Sequence, residues 1–589
     1  MTDSPAPPLT GTTPPVATGD RPSAAAVEET VIPDLLHRDP QLVVDEKALQ
    51  DLLGLAFLGR DLGTSIGDAL AAAKLRNGAW KPEFFEQDLF VRDFAKACAT
   101  LAIGDSTYPA NDRFLRKVLT SVPVDLETVS MRQGILRELT EDPAMRGRFE
   151  ELYRSIFALT TLFGTPGSYG RFDTASLHLE ILQQAKLVID RMADGFTQAR
   201  SALRRLHDAG SALRESGGYG ALRDLLEYEH GMADLDLRVR LGGDGRIRRV
   251  AIERIAEDRG NRFWTPPWRR LRDRLRVIAS GYDFSRRELM DRLVNQVFAD
   301  ISPSLVALIQ LLGHLELYLT NLRFKADAEA RGLAVCLAEL DQNASIELER
   351  LFNPLLLLQN QSPVPCDIRN DAADAIVLVT GPNSGGKTRL LQALGWAALL
   401  GQSGLYAPAA RARMPPRSGL FVSLVENETA AQTEGRLGRE LVRIRTLFEE
   451  MRPGSMVVLD ELCSGTNPSE GIEVFAMVLR LLRHVHPTAF VTTHFLDFAR
   501  SLVEHPPIDG LEFLQVELDA EQSSTYQFVP GVAPTSLAAL TAARLGVTFD
   551  RLSALIAGNG DGTLRESQRP HAGEAAEPAP AKPSSPTDS

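Results

Sequence analysis

The stretch VLVTGPNSGGKTRLLQALG, residues 377–395, joins an apolar run typical of a buried strand to a glycine-rich turn and a helix-like run. Its middle fits the pattern G-x-x-x-x-G-K-[ST] at every fixed position, and the strand before it and the helix after it are the context that the pattern requires. Loops of this kind surround nucleotide phosphates. The stretch therefore predicts a P-loop nucleotide site in an α/β domain, whereas the alternative is a glycine-rich turn that binds nothing.

Each residue type in this loop suits a phosphate ligand. Glycines let backbone N–H groups converge on phosphate oxygens, and the N-terminus of the next helix attracts anions. Lys387 would place a positive charge on the outer phosphates, and Thr388 would offer its hydroxyl to Mg²⁺. The residues predicted to bind ATP are Gly381, Pro382, Asn383, Ser384, Gly385, Gly386, Lys387 and Thr388.

Two acidic residues follow a second apolar run in GSMVVLDELCSGTNPSEG, residues 454–471. A carboxylate at the end of a buried strand suits Mg²⁺, and the next carboxylate suits the attacking water. We therefore assign Asp460 to the metal and Glu461 to the water, as the catalytic base. The alternative is a strand followed by an acidic turn, which is common on its own but less so about 70 residues after a P-loop.

A third strand-like run, AFVTTHFLDFA at residues 489–499, leads to a histidine. His494 is predicted to be catalytic, in contact with the γ-phosphate or the attacking water, and the alternative is a structural histidine. Strand-like runs after residue 345 alternate with helix-like ones, which is the rhythm of a parallel sheet covered by helices on both faces. The predicted fold of this part is an α/β P-loop NTPase domain with an ABC-like parallel sheet.

Before residue 345 the apolar residues recur mostly at helical spacings. Residues 177–210 predict one long helix and residues 285–330 another, and such lengths indicate lever-like helices rather than a compact bundle. Between them, LDLRVRLGGDGRIRRVAI at 235–252 alternates around a Gly-Gly-Asp-Gly turn, which predicts a β-hairpin. The NTPase domain is thus preceded by a mostly α-helical core and lever domain with a small hairpin.

Composition and chain ends limit the other possibilities. The chain has 589 residues, a net charge of −13 and four cysteines, none in a CxxC pair, which favours reduced thiols in a cytoplasmic protein. Neither a signal peptide nor a membrane span is expected. The predicted organisation is a disordered tail at 1–38, the helical domain at 39–345 with an insertion at about 235–276, the ATPase domain at 346–557 and a disordered tail at 558–589.

At these motifs the chain resembles the MutS family of ATPases. GPNSGGKT (381–388), DELCSGTNPSEG (460–471) and TTHF (492–495) are similar to the family's P-loop, Walker B and histidine motifs, and the likeness is strong over about 350–555. The resemblance implies helical levers that lead into the ATPase, C-terminal dimerisation helices, and a homodimer around ATP and Mg²⁺. In this family each ATP site is completed by a signature segment from the other subunit.

The signature segment departs from the family pattern. Where Ser-Thr-Phe is usual, the chain has Gly435, Arg436 and Leu437, so the serine hydroxyl that contacts the γ-phosphate in trans is missing. Backbone N–H groups, Arg436 or Arg439 are the candidate substitutes.

Two further departures concern other domains. The triplet Phe84 to Glu86 fits the family's mismatch-reading wedge, but the residues around it read as helices rather than as a mismatch-reading domain. No small-MutS-related nuclease domain is expected after the ATPase. The chain therefore resembles the shorter branch of the family, without the nuclease domain usual there.

A basic stretch interrupts the acidic chain. Between Arg238 and Arg276 there are thirteen arginines and five acidic residues, a local excess of eight positive charges. This is where the family places its DNA-embracing clamp, arginine pairs well with phosphate, and Trp264 and Trp268 suit base stacking. The alternative is a solvated helix face with two tryptophans in a small core.

Two functions follow. The first is an ATP-dependent DNA-binding protein of the MutS type, in which ATP hydrolysis drives a clamp-like change on branched or structured DNA in repair or recombination control. The second is a nucleotide-gated interaction protein with weak or no ATP turnover and no direct DNA role. The altered signature and the net charge of −13 favour the second function somewhat.

Overall fold

The structure is a computed structural model of the chain. It describes residues 33–39, 66–72, 75, 78–163, 174–230, 234–241, 247–256, 286–424, 436–463, 467–534 and 546–559. Most of the two predicted tails, 1–38 and 558–589, and the arginine-rich segment after the hairpin, 257–276, lie outside these ranges.

The N-terminal part of the described chain is mainly helical, as its apolar spacing predicts. In chain order its elements are α1 Ile66–Ala72, a 3₁₀ turn Pro82–Phe84, α2 Val91–Cys98, β1 Thr100–Ile103, β2 Ser106–Pro109, α3 Asp112–Thr120, α4 Leu126–Glu141, α5 Pro143–Phe163, α6 Thr174–Gly195, α7 Arg204–Glu215, α8 Gly217–His230, β3 Asp234–Leu241, β4 Ile247–Ala256 and α9 Arg286–Glu329. Side-chain caps fix two of the helix starts: Asn111 accepts the backbone N–H of Phe114, and Asp125 accepts that of Thr128.

Helix α9 is the central helix of this part. Its segment Ser304–Glu329 is long and apolar enough to cross a membrane, but 94% of its 18-residue apolar window is buried. The whole helix packs against α5, α6 and α8. A helix that is apolar on all sides must be covered on all sides. The interpretation of this run as a core helix is therefore confirmed, whereas the lever role that the length of α9 indicated remains a prediction.

The single helix predicted over 177–210 is two helices, α6 and α7, which pack against each other. The chain leaves α6 after Gly195, where Phe196 is fully buried. At the contact, a Cβ on Gly210 would lie only 2.5 Å from the backbone nitrogen of Ala193, so the two helices approach backbone to backbone. Apolar spacing continues through the turn, and for that reason the pattern predicted one helix instead of two.

The hairpin predicted at 235–252 is present as β3 and β4, which pair antiparallel between Asp234 and Ala256. The register shifts after Asp236 and after Arg240, so the ladder is irregular. Its role as a DNA clamp remains a prediction.

The rest of the described chain is built around parallel strands. In chain order its elements are β5 Cys336–Leu337, β6 Glu339–Leu340, β7 Glu347–Leu351, α10 Pro354–Leu358, β8 Cys366–Arg369, β9 Ile376–Thr380, α11 Lys387–Gln402, β10 Tyr406–Ala407, β11 Arg411–Met414, β12 Leu420–Ser423, α12 Arg436–Glu450, β13 Met456–Leu459, α13 Pro468–Val485, β14 Thr488–Thr492, α14 Leu496–Glu504, β15 Leu511–Leu518, β16 Ser524–Pro530 and α15 Phe549–Asn559. The predicted α/β part is thus present.

Six strands form the sheet that carries the glycine-rich loop, in the order β12-β13-β14-β9-β15-β16. Neighbours are parallel except β15 and β16, which form an antiparallel hairpin at one edge. Central strand β9 is fully buried: Val377 and Val379 join the core that includes the N-terminal helices, and Ile376 and Leu378 join a second core with residues of α12, α13 and α14. Burial on both faces explains the unbroken apolar sequence of this strand.

Residues 34–37 belong to the folded core and not to the predicted tail. Leu35 and Leu36 are fully buried. The Tyr318 hydroxyl donates to the carbonyl oxygen of Leu35, and Arg132 Nε donates to that of Leu36 at 2.9 Å. The predicted tail, residues 1–38, thus includes two leucines that are buried in the folded part of the chain.

The chain forms two compact units, Met1–Ala533 and Pro534–Ser589. In the second unit the structure describes α15, whose residues Phe549, Leu552 and Leu555 are exposed. The predicted ATPase domain, 346–557, therefore extends into this second unit. The dimerisation helices predicted there remain a prediction, since residues 535–545 lie outside the described chain.

Glu316 is a buried carboxyl group in the middle of α9. It is 1% exposed, and its Oε2 accepts the backbone N–H of Asn111 at 2.9 Å. Burial raises the pKa of Glu316 to about 7, and the hydrogen bond from Asn111 opposes this shift. The folded protein therefore holds this proton at pH values where the unfolded chain has lost it.

We predict that Glu316→Gln stabilises the protein at pH 8 and not at pH 5. The folded state binds the Glu316 proton more tightly than the unfolded state, so this residue lowers the free energy of unfolding as pH rises from about 5 to 8. Glutamine resembles the protonated form, and the gain at pH 8 should be on the order of 2 kcal/mol. Urea unfolding of both proteins at the two pH values measures it, and a difference independent of pH would contradict it.

Candidate nucleotide-binding site

The loop between β9 and α11 turns on two glycines with positive φ. Gly381 has a φ of 141° and Gly386 one of 86°, which residues with a Cβ rarely adopt. The edge hairpin also covers the loop closely: a Cβ on Gly381 would lie 2.6 Å from Cγ2 of Val516, and one on Gly386 would lie 3.0 Å from Cδ1 of Tyr526. Backbone conformation and packing therefore both require glycine at these two positions.

Lys387 is the first residue of α11, and its ammonium group is folded back into the loop. Nζ donates to the carbonyl oxygens of Gly381 at 3.0 Å and Pro382 at 3.1 Å. Burial lowers the pKa of Lys387, and the carboxylates of Glu461 and Asp460 oppose that shift. The lysine is thus buried between the loop and the two acidic residues.

Two hydroxyl groups hold Asp460, which follows β13. Thr388 Oγ1 donates to its Oδ2 and Thr492 Oγ1 donates to its Oδ1, each at 2.5 Å. The Thr492 oxygen also accepts the backbone N–H of Glu461 at 2.7 Å. Because β13 and β14 are parallel neighbours, their ends lie side by side and bring these residues together. Thr388, Asp460, Thr492 and Glu461 form one hydrogen-bonded unit, here called the Asp460 network.

The turn after Asp460 has a strained backbone. Glu461 and Cys463 adopt φ values of 49° and 59°, which are uncommon for residues other than glycine. The N–H of Glu461 is held by Thr492, and that of Cys463 is held by Oε1 of Glu440 on α12. Strain of this kind persists only where the surroundings fix it. The turn therefore holds the Glu461 backbone in one place.

The residues at the mouth of the loop fit a magnesium ion that is held jointly with phosphates. Within the described ranges, no group of three or more His, Cys, Asp or Glu side chains is placed to hold a metal by itself. Mg²⁺ commonly takes one or two protein oxygens, with phosphates and water as its other ligands. The Thr388 hydroxyl and the Asp460 carboxylate, in direct contact, are such a pair.

The remaining predicted residues are less constrained. Asn383 and Ser384 are exposed on the loop. His494 is exposed two residues after Thr492, and its ring packs against that of Phe495 with 4.3 Å between the centroids. The structure thus brings His494 to the same C-terminal end of the parallel strands as the Asp460 network, while its catalytic role remains a prediction.

The sequence did not predict a role for Asp88, which links the N-terminal part to the end of the sheet that carries Asp460. Asp88 is 4% exposed, and its Oδ1 accepts the backbone N–H of Leu424 at 2.8 Å. One residue earlier, Ser423 accepts the backbone N–H of Asp460 at 2.9 Å and, through Oγ, a hydrogen bond from Arg443 of α12 at 3.0 Å. The segment before α2 therefore supports the strand end next to Asp460.

Phe84, in the triplet that resembles a mismatch-reading wedge, lies in that same segment. Its ring packs against Phe421 of β12 with 4.8 Å between the centroids. A half-buried phenylalanine packed on the sheet is a structural residue, which argues against the wedge. The signature residue Gly435 lies outside the described chain, and Arg436 begins α12.

A cavity of about 300 Å³ lies beside the loop. One side is a face of the loop and α11, and the other includes the edge strand β16 and the segment before β8. Its lining includes Gly386, Arg389, Leu390, Val364, Tyr526 and Phe528. Pockets of this size with apolar and aromatic lining are typical of small-molecule sites.

A family model named MutS domain V matches residues 377–549, from β9 to the first residue of α15. This region of the chain belongs to the MutS family. Proteins of this family are ATPases that use ATP and Mg²⁺ and act as dimers on DNA. The matched region contains the glycine-rich loop, the Asp460 network and the edge hairpin.

Curated relatives agree with the family. The chain is 31% identical over 256 residues to endonuclease MutS2 of Streptococcus pyogenes serotype M18, a match of 42% of this chain and 31% of that protein. It is 26% identical over 458 residues to endonuclease MutS2 of Thermomicrobium roseum, a match of 72% of this chain and 53% of that protein. The chain thus spans between about a third and about half of the length of these relatives.

We predict that Thr492→Val weakens Mg²⁺-dependent ATP binding by about 10-fold or more, because groups that orient metal ligands typically contribute that much. Valine has the same shape but cannot bridge Asp460 and Glu461. Titrations of ATP at several Mg²⁺ concentrations measure the effect.

The matched control is Thr488→Val at the other end of the same strand, where Thr488 accepts a hydrogen bond from Arg417 and donates to the carbonyl oxygen of Ala373. That variant should lose stability but keep its affinity for Mg²⁺ and ATP. An unchanged Mg²⁺ dependence in Thr492→Val would contradict the role given to Thr492.

Proposed function

We propose that the chain binds ATP with Mg²⁺, hydrolyses it, and uses this cycle to change its state on DNA. The observation that supports the first part is the Asp460 network at the mouth of the loop. One hydroxyl and one carboxylate suit a metal ion, a buried lysine suits the outer phosphates, and a second carboxylate suits the attacking water. All of them lie at the C-terminal ends of neighbouring strands in one sheet.

Each residue has one role in this proposal. The backbone N–H groups of the loop and Lys387 bind the β- and γ-phosphates, and Thr388 with Asp460 holds Mg²⁺. The ion, when bound, neutralises charge on the phosphates. Glu461 accepts the proton of the attacking water, Thr492 positions Glu461, and His494 contacts the γ-phosphate or that water. The nucleoside occupies the cavity beside Gly386, next to Tyr526.

The proposed active form is a homodimer whose subunits complete each other's sites. The substitutes proposed for the missing signature serine are the backbone N–H groups of the segment at 435–437 and the side chains of Arg436 or Arg439. Helix α12, which begins with Arg436, holds the turn after Asp460 through Glu440. The exposed apolar residues of α15 suit a subunit contact.

The proposed DNA contact is the β3–β4 hairpin with the arginines that follow it. This region has a local excess of eight positive charges in a chain with a net charge of −13. Its arginines therefore attract DNA phosphates more strongly than the rest of the acidic chain does. Arginine contacts to phosphate carry little sequence information, which suits a protein that recognises DNA shape. A cytoplasmic location and action on branched DNA in repair or recombination are parts of this proposal.

A second candidate is a nucleotide-gated interaction protein that turns ATP over weakly or not at all and has no direct DNA role. The altered signature, Gly435 to Leu437, and the acidic net charge favour it. ATP turnover in the presence and absence of branched DNA distinguishes the two functions.

We predict that Glu461→Gln lowers ATP turnover by about 100-fold or more while ATP stays bound, because loss of a general base typically costs that much. Lys387→Ala should lose ATP binding itself. Phosphate release and equilibrium dialysis with Mg²⁺ measure the two effects.

Glu473→Gln, on the exposed face of α13, is the matched control and should behave as the parent protein. Unchanged turnover in Glu461→Gln would show that the base is another residue. A parent protein that binds ATP without turnover on any of homoduplex, mismatched, branched or single-stranded DNA would favour the second candidate.

We predict that DNA affinity falls steeply with added salt, because each neutralised phosphate releases counterions. The double variant Arg248→Ala/Arg249→Ala in β4 should weaken binding to all DNA sequences alike. It should also reduce the slope of log affinity against log salt concentration by about 2. Fluorescence anisotropy with branched DNA between 50 and 200 mM salt, roughly the range over which such effects are measured, provides the slope.

The control variant is Arg369→Ala/Arg445→Ala, two exposed arginines outside the basic stretch. An affinity that does not depend on salt, or an equal loss in both double variants, would contradict DNA contact at the hairpin.

A further inference from the structure

Arg389 borders the cavity beside the glycine-rich loop. Together with Gly386, Leu390 and Ala393 it lines one side of this cavity. Positions separated by three, four and seven residues lie on one face of a helix, so the face of α11 that continues from the loop is the cavity wall. Arg389 is exposed on this wall, about one helical turn beyond Gly386.

Two buried amides hold the Arg389 side chain away from the phosphate loop. Its Nη1 donates to Oε1 of Gln392 at 2.9 Å, which draws the guanidinium along α11 toward its C-terminus. Gln392 is 3% exposed, and its Oε1 also accepts Nδ2 of Asn353 at 3.0 Å. Asn353 is 4% exposed and donates to the backbone carbonyl of Arg389 as well, at 3.1 Å. Both the side chain and the backbone of Arg389 are therefore positioned.

The cavity gives this arginine an unusual electrostatic setting. Of the lining residues, all within the described chain, Arg389 is the one with a formal charge at neutral pH; the others are apolar, aromatic or neutral and polar. A planar guanidinium at the wall of such a cavity suits a ligand with a π-face or with hydrogen-bond acceptors. An aromatic wall residue, Tyr526, lies against Gly386 on the same cavity.

We propose that Arg389 is a specificity-determining residue that contacts the nucleobase of the bound nucleotide and not its phosphates. The guanidinium and the Tyr526 ring both stack on the base. Gln392 and Asn353 are positioning residues that keep the guanidinium away from the phosphate loop. This inference rests on the proposed nucleotide binding and adds which end of the nucleotide Arg389 recognises. The tether to Gln392 carries it, because an arginine aimed at the phosphates would point toward Gly386.

The test compares two probes on the full chain with Mg²⁺: ATP, and inorganic tripolyphosphate, which has the phosphates without the nucleoside. Arg389→Ala should weaken ATP binding by about 5- to 30-fold, the range for a desolvated cation–π contact, and should change tripolyphosphate binding by less than about 2-fold. Arg389→Lys should bind ATP nearly as weakly as Arg389→Ala, since lysine keeps the positive charge but lacks the planar guanidinium group. Gln392→Leu should show a smaller loss that is again confined to ATP.

Two controls keep the result interpretable. Arg445→Ala removes an exposed arginine of α12 and should change neither affinity. Urea unfolding of each variant shows whether it is folded, since Gln392→Leu leaves Asn353 without one partner. Lys387→Ala should weaken the binding of both ATP and tripolyphosphate, because Lys387 lies at the phosphate end of the proposed site.

Equal weakening of ATP and tripolyphosphate in Arg389→Ala, or full recovery of ATP binding in Arg389→Lys, would overturn the inference and assign Arg389 to the phosphates. Unchanged ATP binding in Arg389→Ala would overturn it as well, while leaving the proposed function intact. If the parent protein retains neither probe, the proposed function fails first and this inference fails with it.

Discussion

The hydrogen bonds that Asp460 accepts from Thr388 and Thr492 are the constraint on which the rest of the site depends. They join three separate parts of the chain: the start of α11, the end of β13 and the end of β14. Two hydroxyl donors on its two oxygens hold this half-buried carboxylate in one orientation. The same Thr492 oxygen then fixes the backbone of Glu461, so the positions of the proposed metal ligand and the proposed base are set together.

The sheet and the N-terminal helices share a core, which limits how independently they can move. Trp396 of α11 stacks near Phe94 of α2, with 4.2 Å between ring centroids, and its Nε1 donates to the carbonyl oxygen of Leu89 at 3.1 Å. A Cβ on Gly395 would lie 2.7 Å from Cδ2 of Leu89. Close packing of this kind transmits displacement, because neither side can shift without the other. The helix that starts at the P-loop is thus tightly packed against the segment that precedes α2.

Much of this arrangement can be predicted from the sequence, for a physical reason in each case. The loop is predictable because only glycine tolerates the conformations and contacts at Gly381 and Gly386. The parallel sheet is predictable because strands buried on both faces are apolar throughout. The core role of α9 is predictable because a helix that is apolar on all sides has to be buried.

What the sequence did not predict depends on contacts between distant residues. The break between α6 and α7 interrupts no apolar spacing, and the buried place of Leu35 and Leu36 depends on Arg132 and Tyr318 far along the chain. Thr492 was part of a recognised motif, but its role as the bridge between Asp460 and Glu461 follows only from the register of β13 and β14. Asp88 carried no sequence signal at all.

Asp88 suggests where a signal between the N-terminal helices and the nucleotide site has to pass. It holds the backbone of Leu424, and the neighbouring Ser423 holds both Asp460 and Arg443. Helix α12, which carries Arg443, also supports the turn after Asp460 through Glu440. Residues 425–435, where the signature is expected, lie outside the described chain, between Leu424 and the first residue of α12. Ser423, Leu424 and Arg443 thus connect Asp460 with the segment before α2. Such shared anchorage, rather than a long chain of contacts, is the most direct physical basis for linking nucleotide state to the helical part.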